Sequence, residues 1–202
     1  MEKKLAVIFP GIGYHSDKPL LYYSKKAVRQ RGYDIAEVVF KGIDKSVLLG
    51  ADRLLTSSKD DAEAEKRKLE AFETAFREAK EQLAEIDLSQ YGDVIFVSKS
   101  IGTVVASVYA ARENVPARQV YFTPLEQTFT WVEERNGLVF FGTKDPFIKT
   151  ARIEELCIEK KLSYRIFENC NHSLETGELQ TDLKNLTEAI SDCESYLAGS
   201  PV

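Results

Sequence analysis

The chain has 202 residues, 44% of them hydrophobic, with 27 Lys and Arg against 32 Asp and Glu for a formal charge of −5. A chain of this size can bury one sizeable core, so residues 1–202 are expected to form a single domain, and the scattering of basic residues among acidic ones argues against a nucleic-acid partner. No apolar stretch approaches the ~20 residues of a membrane span, and Cys157, Cys170 and Cys193 have neither the number nor the spacing of a disulfide framework or zinc site. The expectation is a cytoplasmic protein with no membrane partner and free, buried thiols.

The first apolar run, Leu5 to Phe9, is too short for a signal peptide core and stops at Pro10-Gly11, so it reads as a strand. Further strand-length runs follow at Ile35 to Phe40, Val94 to Val97, Gln119 to Phe122, Leu138 to Phe141 and Tyr164 to Phe167. Each leads through a turn into a helical pattern, and that alternation implies an α/β fold, a mostly parallel sheet of about six strands with helices on both faces. Two helical stripes stand out. Leu69, Phe72, Phe76, Ala79, Leu83 and Ile86 recur at intervals of three and four, as do Leu179, Leu183, Leu186, Ile190, Cys193 and Leu197 near the end. Packing on the sheet is the expected use of both stripes, although either could serve as a partner face, which leaves a homodimer open.

The run Val94-Ile-Phe-Val-Ser98-Lys99-Ser100-Ile101-Gly102 delivers a serine from a strand into a sharp turn before a helix. The pattern is that of a nucleophile elbow, Gly-x-Ser-x-Gly, with Ser98 in place of the first glycine. A serine hydroxyl is a poor nucleophile near neutrality and needs a histidine to take its proton and a carboxylate to orient that histidine. The chain has two histidines, and His172 lies just past the last predicted strand; Asp145, in Gly142-Thr-Lys-Asp145-Pro146, lies just past the one before it. Taken singly, Ser100 could cap a helix, Asp145 could cap a helix starting at Pro146, and His172 could be a loop residue. Asn169 and Asn171 fit backbone-satisfying roles in the histidine loop, and Cys170 fits a packed thiol.

The chain order Ser100, Asp145, His172, each in the loop after a successive strand, resembles the alpha/beta-hydrolase family from Leu5 to the last helix. The resemblance implies a three-layer fold, a small serine esterase-like or thioesterase-like activity, and a triad of those three residues, with no metal or cofactor. It also implies an oxyanion hole built from the Ile101 amide and an amide of the loop Phe9-Pro10-Gly11-Ile12-Gly13-Tyr14. Aligning Pro10-Gly11 with the family's His-Gly points to Ile12, and Gly13 is one register away. His15 precedes the serine, which suits the base poorly, and is assigned to the substrate pocket or the surface. Tyr14, His15, Phe122 and Phe147, with Thr123 and Pro124, are candidate pocket residues for a small-molecule acyl substrate. Only about fifteen residues separate Phe122 from Leu138, which leaves no room for a substantial lid.

Two alternatives compete. Gly11-Ile-Gly13-Tyr-His-Ser16 nearly matches the dinucleotide fingerprint Gly-x-Gly-x-x-Gly of a Rossmann-type protein. Against it, Ser16 replaces the third glycine, Pro19 interrupts the expected helix start, and the second strand ends at Phe40-Lys41 with Glu37 inside it. The other alternative keeps the hydrolase fold as a non-catalytic binding module.

Overall fold

In the computed structural model, which describes residues 2–43 and 58–199, all six runs form strands. They are β1 (Lys4–Phe9), β2 (Asp34–Glu37), β3 (Asp93–Lys99), β4 (Arg118–Phe122), β5 (Leu138–Gly142) and β6 (Ser163–Phe167). The sheet order is β2-β1-β3-β4-β5-β6, and every neighbouring pair is parallel. The central strands are near-continuous runs of Val, Ile, Leu and Phe because both of their faces are covered.

The helices are α1 (Pro19–Gln30), α2 (Ser58–Leu83), α3 (Ile101–Arg112), α4 (Thr150–Glu159) and α5 (Leu179–Leu197). Strand alternation sorts the core into two sides. Ala6, Ile8, Ile95, Val97, Phe122 and Phe140 pack with Leu20, Leu21 and Val28 of α1 and Ala189, Cys193 and Leu197 of α5. On the opposite face Leu5, Val7, Phe9 and Phe96 meet α2 and α3, while Val139 and Phe141 meet Ile153 and Leu156 of α4. The three cysteines are free and buried.

The amphipathic stripes are only partly absorbed by this packing. In α2, Phe76, Ala79 and Leu83 are buried, whereas Leu69 at the other end of the stripe is exposed. In α5, Cys193 and Leu197 are buried, whereas Leu179 and Leu183 are exposed.

Three expected boundaries differ. The second strand ends at Glu37: Val38 N still donates to Ile8 O at 2.9 Å, but Val39 N donates to Gln82 Oε1 of α2, so a side chain replaces the ladder there. Pro19 does not interrupt a helix; it is the first residue of α1, where a missing N–H costs nothing. No helix starts at Pro146, and α4 begins at Thr150. No helix among the described residues is long and apolar enough to cross a membrane.

Candidate functional site

The chain leaves β1 toward one edge of the sheet and β3 toward the other, so the loops after these two strands part at the carboxyl edge, the place where open parallel sheets bind ligands. Ser100 stands in that gap, between the end of β3 and the first residue of α3. Its backbone has φ 55° and ψ −125°, a strained conformation for a non-glycine residue. Two hydrogen bonds pin the turn: Ser100 N donates to Phe122 O at 3.1 Å, and Thr103 N donates to Ser100 O at 2.9 Å.

The small residues around the turn have distinct causes. A Cβ on Gly102 would lie 2.4 Å from both Phe9 O and Pro10 O, so only glycine lets α3 start this close to the loop after β1. Gly11 brings the same loop to the serine, since a Cβ there would lie 3.2 Å from Ser100 Cβ. Ser98 replaces the customary glycine without collision. Its side chain is fully buried, and its hydroxyl donates to Val120 O on the neighbouring strand at 3.0 Å.

His172 and Asp145 converge on Ser100 from the loops after β6 and β5. His172 Nε2 is 2.8 Å from Ser100 Oγ, and His172 Nδ1 is 2.7 Å from Asp145 Oδ2. The second carboxylate oxygen, Oδ1, accepts from Phe147 N at 3.0 Å, which fixes the carboxylate within its own turn. Gly142 lets the two loops touch, because a Cβ there would lie 2.2 Å from Cys170 O. Thr143 N and Lys144 N donate to Phe167 O and Cys170 O, and Thr123 Oγ1 donates to His172 O at 3.0 Å. Asn171 Oδ1 accepts from Ser173 N and Glu175 N, as expected of an asparagine ordering this loop, while Asn169 supplies a positive φ of 60°. Cys170 is packed, with its thiol facing Asn185 Nδ2.

Burial lowers the His172 pKa below its ordinary 6.5, and the positive charge of Lys99 pushes the same way; Asp145 opposes both. The ring is therefore biased toward its neutral form, with one nitrogen able to accept the serine proton. Phe147 stands against it with ring centroids 4.4 Å apart.

In the loop after β1, Gly11 and Tyr14 exchange their backbone N–H and C=O groups at 3.1 and 3.3 Å. The amides of Ile12 and Gly13 between them, and that of Ile101 at the start of α3, have no acceptor among the described residues. The remaining pocket candidates divide. Phe147 is partly exposed beside His172, and His15 is a surface residue with its Nδ1 turned to Asp17 N at 3.3 Å. Phe122 is corrected to a core residue: its side chain is fully buried and stacked on Phe140, because β4 turns it inward, and its contribution to the site is its carbonyl. Tyr14 is also buried, with its hydroxyl accepting from Leu20 N.

The residue that sequence reasoning passed over is Lys99. Its side chain is 1% exposed, and its Nζ lies 5.1 Å from the centroid of the Tyr14 ring. Two-residue alternation from Ile95 and Val97 places it on a buried face of β3, a signal that its charge masked.

Ser16 and Glu37, which bear on dinucleotide binding, are engaged with each other: Ser16 Oγ donates to Glu37. Lys25 Nζ donates to both Glu37 carboxylate oxygens at 3.1 and 2.9 Å. The acidic residue that does end β2 is thus already paired.

The parallel six-stranded sheet, with helices on both faces, is the alpha/beta-hydrolase fold. An alpha-beta serine hydrolase homologue from Coxiella burnetii superposes with a TM-score of 0.63 at 11% identity, over 94% of this chain and 84% of that one. Est1E from Butyrivibrio proteoclasticus gives 0.65 at 10% identity, over 98% and 88%. An alpha/beta serine hydrolase without lid from Xanthomonas campestris gives 0.56 at 13% identity, over 95% and 83%. No family model and no curated protein matches the sequence.

Proposed function

We propose that this protein is a serine hydrolase that cleaves a small carboxylic ester or thioester through an acyl-enzyme on Ser100. The observation that carries the reading is the unbroken relay from Ser100 Oγ to His172 Nε2, 2.8 Å, and from His172 Nδ1 to Asp145 Oδ2, 2.7 Å. In this reading His172 takes the hydroxyl proton as Ser100 Oγ attacks the carbonyl carbon, and Asp145 holds the ring by accepting its Nδ1–H. The tetrahedral oxyanion is met by the Ile101 amide and by one of the amides of Ile12 and Gly13; none of these three N–H groups has an acceptor among the described residues.

The intermediate collapses as His172 returns its proton to the leaving alcohol or thiol, which leaves the acyl group on Ser100. A water then gives its proton to His172 and attacks the acyl carbon, releasing the acid and restoring the serine. The connection between β4 and β5 carries a single short helical turn, Glu126–Thr130, which supports an uncovered site and a small acyl group over a long chain. Phe147 beside His172 is the candidate apolar wall for that group.

The test is covalent labelling by a fluorophosphonate probe. Labelling at Ser100 that is abolished in Ser100→Ala is expected, and correctly folded protein that resists the probe overturns the reading.

A further inference from the structure

Lys99 is an expensive residue to keep where it is. The side chain is buried one position before Ser100, and its ammonium has no hydrogen bond or ion pair among the described residues, only the face of Tyr14 at 5.1 Å. An isolated buried charge destabilises a fold, whereas a thioether of similar shape would fill the space without that cost. Its surroundings are those of the site. Charged groups acting on it come from two other loops, Asp145 after β5 and Glu175 after β6, while Lys99 in turn acts on His172.

We propose that Lys99 is a positioning residue for the reaction: its ammonium holds the Tyr14 ring, and with it the Gly11–Tyr14 loop, against the Ser100 turn, while its charge opposes a second positive charge on His172. This rests on the reading of Ser100 and His172 as nucleophile and base. Tyr14 is the right handle, because its backbone closes the Gly11–Tyr14 pair around the free amides of Ile12 and Gly13, and its hydroxyl is tied to Leu20 N at the start of α1. A grip on that ring therefore acts on the segment that would meet the oxyanion.

The charge is present where His172 changes its own. Burial pushes the Lys99 pKa down to about 7, against the pull of Asp145 and Glu175, so the ammonium is mostly retained in the more acidic range in which His172 titrates and is given up above neutrality. Asp145, the other charged group acting on His172, favours the imidazolium, and Lys99 offsets it.

The test compares Lys99→Met and Lys99→Arg by thermal unfolding and by the pH dependence of fluorophosphonate labelling at Ser100. Lys99→Met should unfold at the same or a higher temperature at pH 7 and label about tenfold more slowly at that pH, where His172 is largely neutral and much of the parent's Lys99 still carries its charge, as a loosened site would. Its acid limb should move up by about one pH unit, the effect of losing one nearby like charge. Lys99→Arg should keep the acid limb of the parent. A Lys99→Met protein with the parent's limb and the parent's rate at pH 7 overturns the proposal, as does an Arg variant whose limb moves as far as that of Met. If Lys99→Met does not fold, Lys99→Gln is judged by the same criteria, and failure of both neutral variants to fold overturns the proposal by making Lys99 a structural requirement. Failure of the parent protein to label at all defeats the hydrolase reading instead, independently of any Lys99 variant.

Discussion

Gly102→Ala is the most direct test of how the Ser100 turn is built. The added methyl carbon would sit 2.4 Å from Phe9 O and from Pro10 O, about 1 Å inside ordinary contact at two backbone atoms, and neither can rotate away as a side chain would. Phe9 ends a central strand and is fully buried, so the strain must be relieved by lifting the start of α3. Overpacking of this kind costs about 1–3 kcal/mol, which for a domain of this size lowers the melting temperature by roughly 2–12 °C. Lifting α3 also carries Ser100 and the Ile101 amide with it, and a displacement near 1 Å at a reacting group costs about a hundredfold in rate. Thermal unfolding together with the rate of fluorophosphonate labelling measures both effects. An alanine variant that melts with the parent protein and labels at its rate would refute the packing argument.

Other substitutions probe separate parts of the site. Asp145→Asn leaves a ring partner of the same shape but no charge to favour the transient imidazolium, and hydrolysis of a small acyl ester should fall by about a thousandfold or more, read as kcat/KM; a loss below tenfold would remove Asp145 from the relay. The pH profile of kcat/KM should lose activity as pH falls, since protonated His172 cannot accept the serine proton. Because the folded environment lowers that pKa, the midpoint should lie below 6.5, and a midpoint above it would contradict the burial of the ring. Ser98→Gly removes the hydroxyl that donates to Val120 O and adds backbone freedom to a buried strand, so denaturant unfolding should report a loss of about 1–2 kcal/mol. No loss would mean that the hydroxyl contributes nothing beyond filling the space a glycine leaves.

Most of the sheet is legible because burial on both faces writes itself into β1, β3 and β5 as unbroken apolar runs, and into β4 as the shorter run Val120 to Phe122. The triad candidates are legible for a related reason: in a parallel sheet the loop after each strand returns to the same edge, so Ser100, Asp145 and His172 meet once their strands are assigned. The end of β2 is not legible, because Val38, Val39 and Phe40 continue the apolar pattern while Gln82 of a distant helix takes over the backbone bonding. Leu69, Leu179 and Leu183 continue a helical stripe into positions that remain exposed, and periodicity has no means of marking where burial stops. Phe122 is misplaced by sequence alone because its place at the end of a strand, beside the candidate catalytic loops, speaks for a pocket wall, whereas strand alternation turns it into the core. Lys99 is hidden by its own charge, since lysine ordinarily reads as solvent-facing and only the two-residue period of β3 argues otherwise.

β6 is an edge strand, bonded on one side only to β5, and most of its residues are half-buried. It nevertheless carries the loop that holds His172. In the proposed reading Ser100 and Asp145 cannot work through His172 until this strand has docked. If His172 serves as the proposed base, fraying at this margin is sufficient to disarm the site while the central strands remain intact, and loss of turnover on mild warming should run ahead of loss of structure.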